Sequence, residues 1–197
     1  MAYERSTRDV NLWRKDLGGT ARQISSSTVL DRNPQFSPDG QQFAFSWNGE
    51  KQDNFDIYVK LVDTGMPLRL TSNPAHDSVP AWSPDGRQIA FIRNPGPSAT
   101  VYLIAPLGGP ERRLCGAKAD SLAWTPDSKS LAIMDRGFDN DPYAIILVDV
   151  ASGEKRKLTS PPKEIVGDAP FAFSPDGQTL ASSAGSARSP LTSICCR

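Results

Sequence analysis

The sequence has little of what metal centres, disulfide frameworks and membrane spans require. Its 197 residues contain only three cysteines and one histidine, namely Cys115, Cys195, Cys196 and His76. A structural zinc site needs about four ligands at short spacings, and a disulfide framework needs more cysteines, better spaced. An aliphatic stretch such as Ala144 to Val148 is far shorter than the about 20 residues that cross a bilayer. The composition thus argues against all three classes and leaves the redox compartment undecided.

The sequence also lacks an excess of charge, an export signal and the motifs of common catalytic sites. Lys and Arg number 22, and Asp and Glu number 22, so no net field attracts nucleic acid or anionic lipid. Residues 1–10 have no apolar core of the kind that signal peptides carry. No Gly-x-Ser-x-Gly elbow is present, and no glycine-rich loop opens a helical pattern. We therefore expect no nucleic-acid binding, membrane insertion, catalysis or required cofactor.

What the sequence does contain is one short turn motif in four copies. The copies are FSPDG at 36–40, WSPDG at 82–86, WTPDS at 124–128 and FSPDG at 173–177. Proline presets φ for the first corner of a turn, aspartate bonds nearby backbone, and glycine accepts the positive φ that closes a hairpin. An aromatic residue precedes each turn and an alternating apolar run follows it. The repeated unit is therefore predicted to be a β-hairpin.

The spacing of the motif predicts the fold. The Ser or Thr residues of successive copies are 46, 42 and 49 residues apart, which is the period of a propeller blade. Between the copies, further strand patterns and glycine turns complete units of four strands. We predict an all-β propeller of four-stranded antiparallel blades, about four in number, with three complete blades and a partial blade at each end.

The pattern also predicts boundaries. We expect a propeller over residues 1–184 and a disordered tail at 185–197, where the strand and turn pattern stops. Three strands are expected before the first complete blade and two after the third. Two arrangements remain open: a piece of a longer propeller, or a ring closed by joining the two ends, which would remove exposed strand edges. The expected blades lie near 33–75, 79–116 and 121–160, with a terminal blade formed by 1–25 together with 168–184.

Two details of the repeat lead to local predictions. Ser128 replaces the turn glycine of the other copies, and a positive φ there would cost roughly 1 kcal/mol. The aromatic residue before each turn recurs at one blade position, which predicts packing between blades. These residues are Phe36, Trp82, Trp124 and Phe173.

With these residues in view, the chain resembles a known family. The frame Pro-x-[Trp/Phe]-Ser-Pro-Asp-Gly, followed by an apolar strand, Ile-Tyr, a glycine turn and Arg-Leu-Thr, is similar to the WD40-like repeat of TolB-type β-propellers. The resemblance covers residues 1 to about 183. It implies blades around a channel and a role in binding a protein or peptide partner. It further implies a periplasmic or extracytoplasmic location if the parent protein is TolB-like.

One column of acidic residues suggests a binding site at the channel mouth. Asp31, Asp77 and Asp168 each stand six residues before the Ser of a turn, and Asp120 stands five before Thr125. Converging carboxylates would attract a cation or a basic segment of a partner. Alternatively, each aspartate caps the loop that enters the strand. His76, beside Asp77, could form half of a catalytic pair or be a loop residue near the channel.

A second acidic cluster lies in one loop of the third unit. Asp135, Asp139 and Asp141, with Asn140, place oxygen ligands at alternating positions, a faint similarity to calcium-binding loops. The glycine and distal glutamate of an EF-hand are not at the required spacing. A solvated acidic loop is the alternative, so Ca²⁺ is a possible but not an expected ligand.

These observations favour a non-enzymatic interaction or sensor propeller, as part of a larger bacterial protein. The resemblance leaves two alternatives open. One is the gating propeller of a prolyl-oligopeptidase-like serine peptidase whose catalytic domain lies elsewhere. The other is the sensor part of a winged-helix regulator or kinase. A truncated product without a function of its own is a further possibility. The oligomeric state is left undetermined by the sequence.

Overall fold

Short runs rich in β-branched and aromatic residues form strands, as their composition predicts. The structure is a computed structural model that describes residues 12–15, 17–24, 31–49, 54–63, 65–94, 99–118, 121–138, 141–163, 165–186 and 192–196. For 165–170, 184–186 and 192–196 it describes the backbone alone. Within these ranges every regular element is a β-strand, and no helix is long and apolar enough to span a bilayer.

The strands of the described ranges form five antiparallel sheets in chain order. An N-terminal sheet contains β1 (Trp13–Lys15) and β2 (Ala21–Gln23). The first blade contains β3 (Asp31–Phe36), β4 (Gln42–Trp47), β5 (Asp56–Leu61) and β6 (Leu68–Arg69). The second contains β7 (Asp77–Trp82), β8 (Ile89–Arg93), β9 (Thr100–Ile104) and β10 (Arg112–Gly116). The third contains β11 (Leu122–Trp124), β12 (Ser130–Asp135), β13 (Ala144–Asp149) and β14 (Lys155–Lys157), and a C-terminal sheet contains β15 (Ile165–Phe173), β16 (Leu180–Ser186) and β17 (Thr192–Cys196).

This architecture confirms the predicted propeller, with three complete blades and partial sheets at both ends. Each blade is a meander whose first strand is innermost, and the inner strands β3, β7, β11 and β15 pack against one another in sequence. The strand expected before β1 falls on residues outside the described ranges. The expected tail is wrong for Thr192–Cys196, which pair with β16 from Leu180 to Ala184.

The described strands also do not form the expected blade in which the two ends of the chain join. β1 and β2 pair with each other, and β15 to β17 form a separate sheet. The reason is that β17 occupies the edge of β16 at which a strand from the N-terminal sheet would have to pair. The two partial sheets therefore remain distinct.

The core consists of apolar layers between neighbouring sheets. Ala44, Ile57 and Val59 of the first blade pack against Ile89 and Phe91 of the second. Equivalent layers join the second blade to the third and the third to the C-terminal sheet. Burial of these side chains is the main stabilising contribution, worth about 1.5–3 kcal/mol for each large residue.

The aromatic residues before the turns follow the prediction in part. Trp82 and Trp124 are both 7% exposed, and both lie in the layers between blades. Phe173 packs against the layer between the third blade and the C-terminal sheet. For Phe36 the prediction is wrong, because the ring is 44% exposed and contacts Phe43 of its own blade edge-on.

All four turns have the predicted structure and the same hydrogen bonds. In the second copy, Ser83 Oγ donates to Asp85 Oδ1 at 2.6 Å, and that oxygen accepts from Arg87 N at 3.1 Å. Gly86 N donates to Ser83 O at 2.9 Å, with Gly86 at φ 73°. The aspartate thus accepts two bonds inside the turn. The hydrogen bonds lower the pKa of each turn carboxyl, the one from the Ser or Thr hydroxyl having the largest effect, at Asp39, Asp85, Asp127 and Asp176.

Ser128 keeps the positive φ of the turn glycines, at 60°, so the conformational cost considered for this position applies. Its hydroxyl also accepts a hydrogen bond of 3.0 Å from Asp85 N in the turn of the second blade. A glycine would remove the conformational cost but would also lose this bond. The serine therefore connects two turns that belong to different blades.

Further polar bonds join the second and third blades from the inner to the outer strands. Trp124 Nε1 donates to Ala81 O at 2.9 Å between inner strands. At the outer strands, Lys155 Nζ donates to Gly116 O at 2.7 Å and Arg112 Nη2 donates to Val150 O at 2.9 Å. The two blades are thus bonded at several depths.

Candidate functional site

Two regions of the inner strands could carry a function. One is the entry end, where β3 and β7 begin with Asp31 and Asp77 of the predicted column and β15 contains Asp168 as its fourth residue. The other is a cavity at the opposite end of the inner strands β3, β7, β11 and β15, next to the proline turns. The two regions differ in chemistry, because the first contains buried charged groups and the second is lined by aromatic, proline and uncharged polar residues.

At the entry end, Asp77 forms an internal ion pair with Arg93. The carboxylate is fully buried and accepts two hydrogen bonds of 2.8 Å from Arg93. Arg93 is the cross-strand partner of Asp77 in the pairing of β7 with β8. Arg93 also donates to Glu111 at 2.7 and 3.0 Å, and its guanidinium stacks on Tyr102 at 4.5 Å. Burial raises the pKa of Asp77, while the bonds from Arg93 lower it. The bond to Asp77 raises the pKa of Arg93, so the guanidinium stays charged at neutral pH.

A second buried carboxylate lies beside this pair in the first blade. Asp56 is ion-paired with Arg69 and accepts from Thr71 Oγ1 at 3.3 Å. Thr71 also accepts from Ile57 N at 3.0 Å, which explains the threonine of the Arg-Leu-Thr pattern. Burial raises the pKa of Asp56, and the Thr71 hydroxyl lowers the pKa of both Asp56 and Asp77. The seam between the first two blades therefore contains a polar network of two acids and two arginines, closed by Glu111.

The structure describes two side chains of the predicted acidic column. Asp31 is 1% exposed and Asp77 is 0% exposed. Asp120 lies outside the described residues, and Asp168 is described in its backbone only, within β15. For Asp31 and Asp77 the burial favours a structural role over binding a cation at an open channel mouth, because a ligand must be able to reach the carboxylates.

His76 is a stacked residue near this network. Its ring lies 4.7 Å from the ring of Phe55, and the Arg32 guanidinium lies 5.3 Å from the same phenyl ring. Burial lowers the pKa of His76, so the imidazole is neutral at pH 7. The ring contacts of His76 are those of a packed loop residue.

The two described carboxylates of the acidic loop each have a partner within the protein. Asp135 pairs with Lys155 at 2.8 Å, and Asp141 accepts from Phe138 N at 3.1 Å within its own turn. Asp139 and Asn140 lie outside the described residues. In the described part of the chain, no three His, Cys, Asp or Glu side chains are grouped as metal ligands are.

The cavity at the other end of the inner strands has a volume of about 650 Å³. Its walls combine aromatic rings with the prolines of three turns. The lining residues include Trp82, Trp124, Phe171, Phe173, Pro84, Pro126 and Pro175. Gln35 contributes a polar group from β3, and its Oε1 accepts a hydrogen bond from Trp82 N. We refer to this space as the channel cavity.

A comparison with family models identifies the propeller. Residues 7–142 match the tricorn protease N-terminal β-propeller domain, which is more than half of the chain. The chain belongs to the tricorn N-terminal propeller family. No curated protein matches the sequence.

Solved structures agree with the fold of this tricorn-family propeller. TolB from Acinetobacter baumannii is 21% identical, with a TM-score of 0.75 over 89% of this chain and 43% of that one. A TolB of Agrobacterium tumefaciens described as putative is 21% identical, with a TM-score of 0.70 over 90% of this chain and 62% of that one. A prolyl endopeptidase is 15% identical, with a TM-score of 0.64 over 85% of this chain and 28% of that one. The chain thus spans less than two thirds of each, and the TolB-like propeller fold is confirmed.

Sequence reasoning missed part of the polar network in this tricorn-family propeller. Arg93 and Glu111 stand 16 and 34 residues after Asp77, and no local motif connects them. A signal was present for Thr71, since Arg-Leu-Thr recurs in part as Lys157-Leu158-Thr159, whose threonine accepts from Ile145 N at 2.9 Å. The repeat could therefore have predicted the threonine bond but not its acidic partners.

Proposed function

We propose that this propeller is a non-enzymatic module that binds a protein or peptide partner at its channel. The observation that carries the proposal is the channel cavity, a concave space of about 650 Å³ lined by aromatic rings and prolines. Such a wall suits the apolar side chains of an extended peptide, because ligand sites are mostly apolar with a few polar groups. Arg93 and Asp77 neutralise each other inside the protein, so they are not available for acid–base chemistry.

The TolB-like fold supports the same proposal, and it suggests an extracytoplasmic setting within a larger bacterial protein. The alternative is the gating propeller of a serine peptidase. That alternative is favoured by the likeness to a prolyl endopeptidase. A longer reading frame distinguishes the two, since a downstream Gly-x-Ser-x-Gly motif would support the peptidase.

Photo-crosslinking in the native host tests the proposal. A photoreactive amino acid is placed at Leu122 or Phe173, which line the channel cavity, and at Arg156 as a control on the exposed outer strand β14. We expect the same partner protein, identified by mass spectrometry, from both cavity positions and not from Arg156. The purified chain is also incubated with chromogenic peptide substrates. Turnover of these peptides, or an adduct pattern that is the same at all three positions, would overturn the proposal.

A further inference from the structure

A second concave surface lies on the third blade, away from the channel cavity. It is a cleft of about 600 Å³ between the loop that follows β12, the strand β14 and the segment after it. Three cationic side chains line it, and apolar groups lie between them. The residues that matter here are Arg136, Phe138, Ile146, Lys157, Pro161 and Lys163.

The described acids of this cleft are already occupied. Asp135 pairs with Lys155 at 2.8 Å, and Asp141 accepts the Phe138 N–H at 3.1 Å. Lys157 and Lys163 are exposed, and neither forms an ion pair with a described residue. Among the described residues that line the cleft, three cations therefore stand against two acids that already have partners, although the chain as a whole carries equal numbers of both charges.

The cations adjoin an exposed aromatic ring. Phe138 is 79% exposed, and Pro161 and Ile146 line the same cleft. The Arg136 guanidinium is held over the Tyr143 ring at 4.7 Å, and Lys118 Nζ donates to Gly137 O at 3.2 Å. These contacts fix the position of the loop and bring a further cation from the second blade close to it. An exposed ring beside several cations has the composition of an interaction surface.

We propose that this cleft binds an acidic peptide segment of the partner protein. Its carboxylates pair with Lys157 and Lys163, and an apolar side chain next to them packs on Phe138. Separated cations on different segments match carboxylates spaced along an extended peptide. Nucleic acid fits less well, since its backbone requires a broad basic surface and the chain has no net charge. This inference rests on the proposed function, because it specifies the chemistry of the same partner.

Fluorescence anisotropy with a defined probe tests the cleft. The probe is a labelled peptide of repeated Asp-Glu-Leu triplets, and the control peptide has Asn-Gln-Leu triplets. We expect only the acidic peptide to bind. We also expect its affinity to fall between about 0.1 M and about 1 M salt, as the Debye length shortens from about 10 Å to about 3 Å.

Matched variants locate the binding on the protein. The double substitution Lys157→Glu with Lys163→Glu should weaken the binding of the acidic peptide by at least about tenfold, because like charges then face each other. Arg156→Glu is the control, since Arg156 lies next to Lys157 on β14 but does not line the cleft. Phe138→Ser should weaken binding and leave its salt dependence unchanged.

Several outcomes would overturn the inference. Equal loss of binding in the double variant and in Arg156→Glu would show a non-specific charge effect. Binding of polygalacturonate but not of the peptide would show that the ligand is an acidic polysaccharide. If the channel positions still crosslink a partner in the double variant, with unchanged yield, the cleft inference fails and the proposed function stands. Absence of both peptide binding and crosslinks would contradict the cleft inference and the proposed function together.

Discussion

Individual residues at the seam between the first and second blades hold most of the buried charge. Asp77, Arg93 and Glu111 form one chain of ion pairs, and Asp56 with Arg69 forms another beside it. Burial of charge is tolerated only where each group has a partner, because an unpaired ion in the interior costs several kcal/mol. Each chain of ion pairs lies within one blade, so it fixes the strands of that blade relative to one another.

At this scale we predict a strong effect of breaking the buried pair. Asp77→Asn should lower the free energy of unfolding by about 1–3 kcal/mol, since Arg93 would lose its bonds to a buried carboxylate but keep those to Glu111. Asp135→Asn is the matched control, because the Asp135–Lys155 pair is partly exposed and such pairs contribute about 0–1 kcal/mol. Urea denaturation of both variants measures the difference. Equal losses would show that the buried ion pair at Asp77 contributes no more to the free energy of unfolding than the partly exposed pair at Asp135.

What the sequence could predict at residue scale depended on the range of the interaction. The positive φ of Ser128 was predictable because the position of a residue in a turn determines its backbone angle. The burial of Asp77 was not, because its partner Arg93 meets it only through the register of two strands. Capping was a reasonable alternative for this aspartate, but local sequence gave no information about a distant arginine.

Among the elements, the inner strands show how one repeat position can differ between blades. Trp82 and Trp124 occupy the same place before a turn and are equally buried. The Trp124 indole donates to Ala81 O, whereas the buried Trp82 Nε1 finds no acceptor among the described residues. The two tryptophans thus make similar apolar contributions but differ by one hydrogen bond.

This difference leads to a prediction for a pair of substitutions. Trp124→Phe should destabilise the protein by about 1 kcal/mol more than Trp82→Phe, because only the first removes an indole hydrogen bond. Both variants lose a similar apolar area, so the comparison isolates the N–H group. Thermal or urea unfolding of the two proteins measures it. A larger loss for Trp82→Phe would show that its N–H is bonded in solution.

Strand irregularities were beyond the reach of pattern analysis. Each of β3 and β7 has one extra residue relative to its partner, with Asn33 and Val79 at φ 53°. Asparagine tolerates this conformation, but a β-branched valine at positive φ is a true outlier. Alternation of apolar residues predicts where a strand lies, and it does not predict where an extra residue is inserted.

For the whole molecule, the four turns should make stability sensitive to acid. Their carboxyls have a lowered pKa because a Ser or Thr hydroxyl donates to each of them. In the unfolded chain these groups bind protons more readily, at a pKa of about 3.9. Their contribution is therefore present above that pH and is lost as the pH falls through the lower folded pKa. Asp56 and Asp77 act in the opposite direction, because burial raises the pKa of both and their contribution is lost as the pH rises.

We predict that Asp85→Asn reduces this acid sensitivity. The variant cannot release a proton from the turn, so its free energy of unfolding should fall less steeply than that of the parent between about pH 5 and about pH 2. Ser83→Ala should act in the same direction, since it removes the hydroxyl that donates to Asp85. Urea titrations across this range measure the slopes. Parallel slopes for the parent and both variants would contradict the prediction.

The overall fold was predictable because its turn motif occurs four times in the sequence. A repeated turn at blade spacing determines the strand order, and neighbouring copies determine the packing direction. The ends were less predictable, since β17 pairs with β16 although no turn motif or repeat in the sequence indicates a strand there. A repeat informs about what recurs, and each terminal segment occurs once.

The bonds between the second and third blades have a consequence for a clipped molecule. A protease that cut the connection near residue 118 would sever the chain, yet Trp124, Ser128, Lys155 and Arg112 would still bridge the two halves. The nicked halves would stay together as a non-covalent complex and would separate only in denaturant. Co-expression of the two pieces could therefore reconstitute the whole.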